Sequence, residues 1–370
     1  MPLVRYLWYM PSLPWKKNPF GPMIIAGPCS AESEKQTVET AQKLAALGSV
    51  DAFRAGVWKP RTRPGSFEGV GANALPWLIA AREASGLPIV TEVANAQHVE
   101  ACLKAGVDAV WIGARTTVNP FYVQEIADAL RGVSLPVLVK NPIHPDVGLW
   151  IGALERIEKA GISQLSAVHR GFFAYRSEPF RNEPKWELAF ELRNRAPHVP
   201  IVCDPSHIAG QRDLVQQVAQ FAMDMQFDGL MVEVHPSPER AKSDADQQMT
   251  PSALGKMLSS LRLGSQEPHV SAEENEFLIN GRTLLDVLDS EIVEILKKRM
   301  AVVDALGEWK AQKNISVFQL DRFNHIFKER GAQAAALDLN PALITELFQV
   351  VHKYSVDRQI KAVNDHRKSK

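Results

Sequence analysis

Cysteine is scarce in this chain: only Cys29, Cys102 and Cys203 occur in 370 residues. An odd, sparse count excludes a disulfide framework and suits a reducing cytosol, so a cytoplasmic location is expected. Long hydrophobic runs are missing too, and without about 18 consecutive apolar residues no membrane span is expected. Net charge is absent, because 42 Lys and Arg balance 42 Asp and Glu. That balance excludes the clustered cationic excess of a general nucleic-acid binder. The opening MPLVRYLWYMPSLPWKK lacks a basic start and is interrupted by Pro11 and Pro14. It is not expected to act as a signal peptide.

Apolar residues are plentiful, at 45%. The chain is too long for one ordinary compact domain, so a barrel plus a second module is the natural prior. Short apolar runs alternate with amphipathic stretches from Met23 onward. The runs are Met23 to Cys29, Val50 to Val57, Pro88 to Ala94, Ala109 to Ala114, Pro136 to Pro142, Gln164 to Gly171, Pro200 to His207 and Gly229 to Pro236. Continuous apolar runs suit parallel strands buried on both faces. Stretches such as KQTVETAQKLAALG and RDLVQQVAQFAMDM read as the crossover helices between them. Eight such units over residues 23–262 predict an α/β fold, a (β/α)8 TIM barrel of the usual ~250 residues. Residues 1–22 form an N-terminal extension. Residues 263–272, LGSQEPHVSA, read as a linker without periodicity. Residues 273–370 contain no strand pattern and predict a small all-α domain. Its first helix is long and amphipathic, and Pro341 suits the first turn of its last helix after Asn340. So small a helical block would gain a larger core by pairing with a second copy, which predicts a homodimer.

Polar exceptions fall at the ends of the predicted strands: Cys29, Arg54 with Lys59, Glu92, Arg115, Lys140, His169 with Arg170, Asp204 with His207, and Glu233 with His235. A barrel gathers its active site at the C-terminal ends of its strands, so these residues are expected to converge. Cys29, His207, Glu233 and Asp244 form a mixed thiolate, imidazole and carboxylate set suited to a borderline divalent ion: Mn, Fe, Co or Zn. Arg54, Lys59, Arg61, Arg115, Lys140 and Arg170 bring positive charge to the same mouth. They require either anionic substrates or structural pairing with Glu32, Glu92 and Asp204.

The segments GPCSAES, RAGVWKPRTRPGSFEGVG, IGART, VKNP, HRGF, DPSH and GLMVEVHPSPERAKSDADQQ resemble 3-deoxy-D-arabino-heptulosonate 7-phosphate (DAHP) synthase. The nearest likeness is to the microbial subfamily shared with the eight-carbon sugar-acid synthase. The resemblance covers the whole barrel. It implies metal ligands at Cys29, His207, Glu233 and Asp244. It implies that Arg115, Lys140 and Arg170 bind phosphoenolpyruvate with Arg54 nearby, that Lys59 lies between the substrates, and that Arg61 and Thr62 bind the phosphate of erythrose 4-phosphate. Pro60 and Arg61 in KPRT favour the four-carbon aldehyde over the longer sugar of the eight-carbon synthase. KNP stands where KRG is common, and His169 where Glu is frequent.

In the helical block, charged residues have a solvated face as their default reading. The order Arg282, Asp289, Arg299, Lys310, Arg322 and then YSVDRQ (Tyr354 to Gln359) resembles the all-helical chorismate mutase. That implies binding of chorismate and prephenate. Arg282, Arg299 and Arg322 would meet carboxylates, Lys310 and Gln359 the ether oxygen, and Ser355 would lie nearby. Arg282 would enter the site of a dimer partner. Phe323 stands where the family often has Glu, and Gln319 where Asp is common, so weaker mutase activity is expected. The fusion itself suggests feedback on the barrel. The competing reading is that the helices only sense a ligand or dimerise.

Overall fold

The computed structural model describes residues 15–18, 21–60, 65–175, 179–264 and 272–368. They divide into two compact units, Met1–Gly264 and Ser265–Lys370.

The first unit is built on eight strands: β1 (Met23–Gly27), β2 (Ala52–Arg54), β3 (Ile89–Val93), β4 (Ala109–Ile112), β5 (Val137–Lys140), β6 (Leu165–His169), β7 (Ile201–Cys203) and β8 (Gly229–Glu233). All neighbours are parallel, and β1 closes on β8 with Gly27 opposite Glu233. The strands are shorter than the apolar runs, which continue into the loops at the barrel mouth.

Side chains alternate across a strand, and this alternation decides what meets inside the barrel. Ala52, Val90, Leu138, Val168, Val202 and Met231 belong to one buried interior cluster with Met23, Ile25, Ala109 and Trp111. Two residues beyond the first six stand Arg54, Glu92, Lys140, Arg170, Asp204 and Glu233, all buried. The same inward columns therefore turn from apolar to charged as they reach the mouth. At the opposite end Trp15 packs against the interior cluster. There Asp51 accepts from Lys17 N and Ile24 N, both at 2.7 Å.

The outward positions pack against helices in a second, larger core. Helix Arg212–Asp224 buries Val215, Val218, Ala219, Ala222 and Met223, a single stripe at helical spacing.

Odd parity corrects one expectation. Val168 and Arg170 point inward, so His169 between them points outward and does not join the mouth. Its ring lies among Trp150, Phe172, Trp186 and Phe227. Burial in this aromatic shell pushes its pKa down from 6.5 to about 3. The native state thus refuses a proton that the unfolded chain accepts. Stability from this group is complete above pH 6.5 and is lost as pH falls from there toward 3. Unfolding free energy should drop by about 1.4 kcal/mol per pH unit more steeply than in His169→Phe over this window. Denaturant titrations from pH 7 to pH 5 would reveal a matching slope in both proteins if the idea is wrong.

The second unit has three helices, Ala272–Lys313, Leu320–Ala336 and Pro341–Lys368. Asn340 Oδ1 accepts from Ala342 N at 2.9 Å, opening the third helix. Gly307 lets the first and third helices approach, because a Cβ there would lie 3.1 Å from Gln359 Cα. The long helix is exposed at every position from 274 to 295. Leu285, Leu288, Ile292, Ile295, Val302, Leu306 and Trp309 are between 45% and 61% exposed. Among the described residues no helix is long and apolar enough to cross a membrane.

Candidate active site

The barrel mouth is a connected network of charged side chains. Arg54 Nη2 donates to Glu233 Oε1 at 3.1 Å, and its guanidinium lies 4.7 Å from the Trp111 ring centre. Burial opposes the Arg54 charge, but Glu233 and Asp204 outweigh it and hold the pKa above its ordinary value. Lys140 Nζ donates to Asp204 Oδ2 at 2.8 Å. So Arg54 and Lys140 each have a structural carboxylate partner. Even so, Arg54 Nε and Nη1 are buried without a hydrogen-bond partner among the described residues. Orphaned donors of this kind are costly unless a ligand or water completes them.

Arg170 is held from several sides. Its backbone N donates to Asn141 Oδ1 at 2.7 Å, and its Nη1 donates to Asn182 Oδ1 at 2.8 Å. Asn141 Nδ2 in turn donates to Gly171 O at 2.8 Å. The unusual Asn141 is therefore a staple between β5 and the chain after β6. Burial, with Arg181 and Arg115 close by, lowers the Arg170 pKa to about 10. Arg115 itself is exposed, with its charge bearing on Arg170. Lys59 is buried; burial lowers its pKa, but Cys29, Glu92 and Glu233 lift it above its ordinary value. Gly56 and Gly113 matter for space. A Cβ at the first would lie 2.6 Å from Lys59 Nζ, and one at the second would strike Glu92 Oε1. Arg61 and Thr62 lie outside the described residues.

A thiol and two carboxylates meet beside these cations. Ligand atoms of Cys29, Glu233 and Asp244 all lie within 4.8 Å of one another. Cys29 Sγ donates to Asp244 Oδ2 at 3.2 Å. His207 Nδ1 lies 2.8 Å from Asp204 Oδ2, and its Nε2 lies 3.8 Å from Glu233 Oε1. Burial lowers the His207 pKa, which favours the neutral imidazole that ligates metals. Burial and Glu233 push the Cys29 thiol up to about 12. Burial opposes ionisation of Asp244, but His207 first, then Arg181 and Lys59, hold it well below the ordinary carboxylate range. This donor set fits a borderline divalent cation, which would also draw the proton from Cys29. The Asp204 carboxylate behind His207 matches the usual support of a ligating imidazole.

Residues that sequence reasoning did not single out complete the network. Arg181 Nη1 donates to Asp244 Oδ1 at 3.1 Å and to Gln247 Oε1 at 2.7 Å. Gln247 Nε2 then donates to Glu233 Oε2 at 2.8 Å. Cys29 N donates to Gln248 Oε1 at 3.0 Å, and Glu233 N to Ser206 Oγ at 2.9 Å. Neutral amides and hydroxyls carry no charge signal in a sequence, and only the pair Gln247–Gln248 beside Asp244 hinted at them.

In the helical unit, Arg299 Nη1 donates to Ser355 Oγ at 2.6 Å, and Lys310 Nζ to Val317 O at 2.9 Å. Burial lowers the pKa of both cations. Gln359 lies one turn beyond Ser355 on the third helix, and its Oε1 is buried without a partner among the described residues. Arg282 does not join this group. One continuous helix carries it and Arg299 seventeen residues apart, or about 25 Å along the axis. Arg322 is exposed. Beside it, Phe323 packs against Phe318 and Phe327.

Residues 20–264 match the family described as DAHP synthetase I, and residues 282–360 match chorismate mutase type II. A phospho-2-dehydro-3-deoxyheptonate aldolase of Thermotoga maritima is 34% identical over 226 residues, 61% of this chain and 64% of that protein. This chain thus spans just under two thirds of that relative's length. A 2-dehydro-3-deoxyphosphooctonate aldolase of Acidithiobacillus ferrooxidans is 27% identical over 276 residues, 69% of this chain and 91% of that protein. A crystal structure of the Thermotoga maritima DAHP synthase superposes with a TM-score of 0.58 at 31% identity, covering 64% of this chain and 67% of that one. With the first match spanning well over half of its residues, the chain belongs to the DAHP synthetase I family, and it carries a chorismate mutase type II domain after the barrel.

Proposed function

We propose that the barrel condenses phosphoenolpyruvate with erythrose 4-phosphate to give DAHP and phosphate, and that the helical unit rearranges chorismate to prephenate. The observation that carries the barrel reading is Arg54. It is a buried guanidinium with two unpartnered nitrogens, set beside Lys140, Arg170 and a thiol–carboxylate cluster. Such a place suits an anion more than water. Arg54, Arg115, Lys140 and Arg170 would grip the phosphate and carboxylate of phosphoenolpyruvate. Arg61 and Thr62 would hold the aldehyde's phosphate. Holding both substrates turns their encounter into a positioned reaction.

Cys29, His207, Glu233 and Asp244 would hold a divalent cation: Mn, Fe, Co or Zn. When bound, it would supply Lewis-acid polarisation of the aldehyde oxygen. The enol carbon attacks the aldehyde carbon, and Lys59 protonates the new alkoxide. Water then adds to the electron-poor C2, and phosphate leaves with cleavage of its C–O bond.

In the helical unit no covalent group is needed. Fixed cations at Arg299 and Lys310, with Gln359, would stabilise charge that builds on the ether oxygen. Arg282 would enter the site of a second copy, a reading supported by its place seventeen residues from Arg299 on the same helix. The exposed apolar positions from Leu285 to Trp309 recur at spacings of three and four, with one gap of seven from Ile295 to Val302, which suits a helix seam. Both features support a homodimer through the long helix. The fusion supports feedback on the barrel by chorismate or prephenate, acting through different affinities for two arrangements.

The test is product formation from phosphoenolpyruvate with either erythrose 4-phosphate or arabinose 5-phosphate, with and without chelator, alongside chorismate consumption. The expected result is turnover of the four-carbon aldehyde, lost on chelation and restored by metal. Preference for arabinose 5-phosphate would instead establish the eight-carbon activity carried by the name of the Acidithiobacillus ferrooxidans relative.

A further inference from the structure

The third helix of the helical unit presents His352, Ser355 and Gln359 at positions i, i+3 and i+7, which is one face. Ser355 receives Arg299, and Gln359 keeps a buried carbonyl oxygen unpartnered. His352 ends the same row. Its Nε2 is buried and has no hydrogen-bond partner among the described residues. Two aromatic rings fix the imidazole. Phe323 meets it edge-on at 5.1 Å between centres, and Phe327 at 6.3 Å. Two orphaned polar atoms thus stand on one helix face, roughly 10 Å apart along the axis, with the Arg299–Ser355 pair between them.

We propose that His352 is a ligand-binding residue of the helical unit's site, and that its Nε2 hydrogen-bonds an uncharged oxygen of the bound dianion. The proposal rests on the chorismate mutase reading and deepens it. The cations of the cluster, Arg299 and Lys310, suit the anionic groups of such a ligand. A hydroxyl remains to be met, and Phe323 offers it nothing. A neutral imidazole can donate to or accept from a hydroxyl. Burial, and then the charges of Arg299 and Lys310, lower the His352 pKa and so favour that neutral form. The packing of Phe323 and Phe327 on the ring makes this a pre-oriented contact, which reduces the ordering needed on binding.

The experiment compares His352→Leu, His352→Gln and Arg299→Ala in the full chain. It measures steady-state chorismate turnover, prephenate binding by calorimetry, and thermal unfolding. Leucine keeps an apolar volume but no polar atom, whereas glutamine returns one near the Nε2 position. For His352→Leu, KM for chorismate should rise roughly five- to thirtyfold, with kcat changed far less. Such a split marks a contact made equally in ground and transition states. His352→Gln should recover most of the loss, and Arg299→Ala should remove both turnover and binding. If His352→Leu leaves KM and prephenate affinity within twofold while Arg299→Ala abolishes them, the ring only packs and the proposal is overturned. The same follows if His352→Gln is as impaired as His352→Leu. If the unmodified chain neither turns over chorismate nor binds prephenate, the reading of the unit itself fails and takes the proposal with it.

Discussion

Replacing Arg54 by Met should lower condensing kcat/KM by about three orders of magnitude and destabilise the barrel by roughly 3–5 kcal/mol. The two effects have separate causes. Arg54 is fully buried, and Glu233 Oε1 at 3.1 Å is its carboxylate partner. Removing the guanidinium leaves Glu233 a buried charge without its direct ion-pair partner, with Gln247, His207 and the more distant charge of Lys59 to answer it. That uncompensated charge produces the stability loss, since deleting one half of a buried pair costs far more than deleting both. The activity loss arises from the other two nitrogens, Nε and Nη1, which have no hydrogen-bond partner among the described residues and can bind substrate. Arg54→Lys separates the causes. It retains a positive charge near Glu233 and should recover much of the stability, but it lacks the planar fork and should stay catalytically poor. Urea unfolding and steady-state kinetics on the three proteins provide the readout. Should Arg54→Met keep kcat/KM within tenfold, the orphaned nitrogens are not a substrate site.

The barrel was legible because its signals are local and repeat. Each strand is an apolar run, and each run ends in a residue that an interior position would not tolerate. Counting by twos from the interior residues gives Arg54, Glu92, Lys140, Arg170, Asp204 and Glu233 without any structure. His169 failed because adjacency in sequence was taken for adjacency in space. Its neighbour Arg170 faces the mouth, and the pleat sends His169 to the helices. Arg181 was missed for a different reason. It lies on no strand, and only the folded loop brings it to Asp244. Gln247 and Gln248 are neutral, so nothing in the charge pattern marked them. In the helical unit the periodic pattern predicts one long first helix carrying both Arg282 and Arg299, and the structure has it as Ala272–Lys313.

Cys29→Ala should weaken binding of a divalent cation by at least about a hundredfold and abolish chelator-sensitive condensation, with the fold intact. The fold survives because Cys29 contributes through its backbone as well: its N–H to Gln248 Oε1 remains in the Ala variant. The side chain is small and buried, so its removal leaves little space behind. What disappears is the only sulfur in a cluster whose other members are Glu233 and Asp244. Without it the site presents carboxylate and imidazole donors alone, which suit harder ions. Replacement by Ser would not restore the soft donor, so Cys29→Ser should behave like Cys29→Ala. The measurement is equilibrium dialysis with Zn and Mn, together with the absorption spectrum of the cobalt-loaded protein. A thiolate charge-transfer band should be present in the unmodified chain and absent from both variants. This readout does not depend on turnover. An unchanged cobalt spectrum in Cys29→Ala would mean that the ion sits elsewhere, and the thiol would then be a buried core group hydrogen-bonded to Asp244.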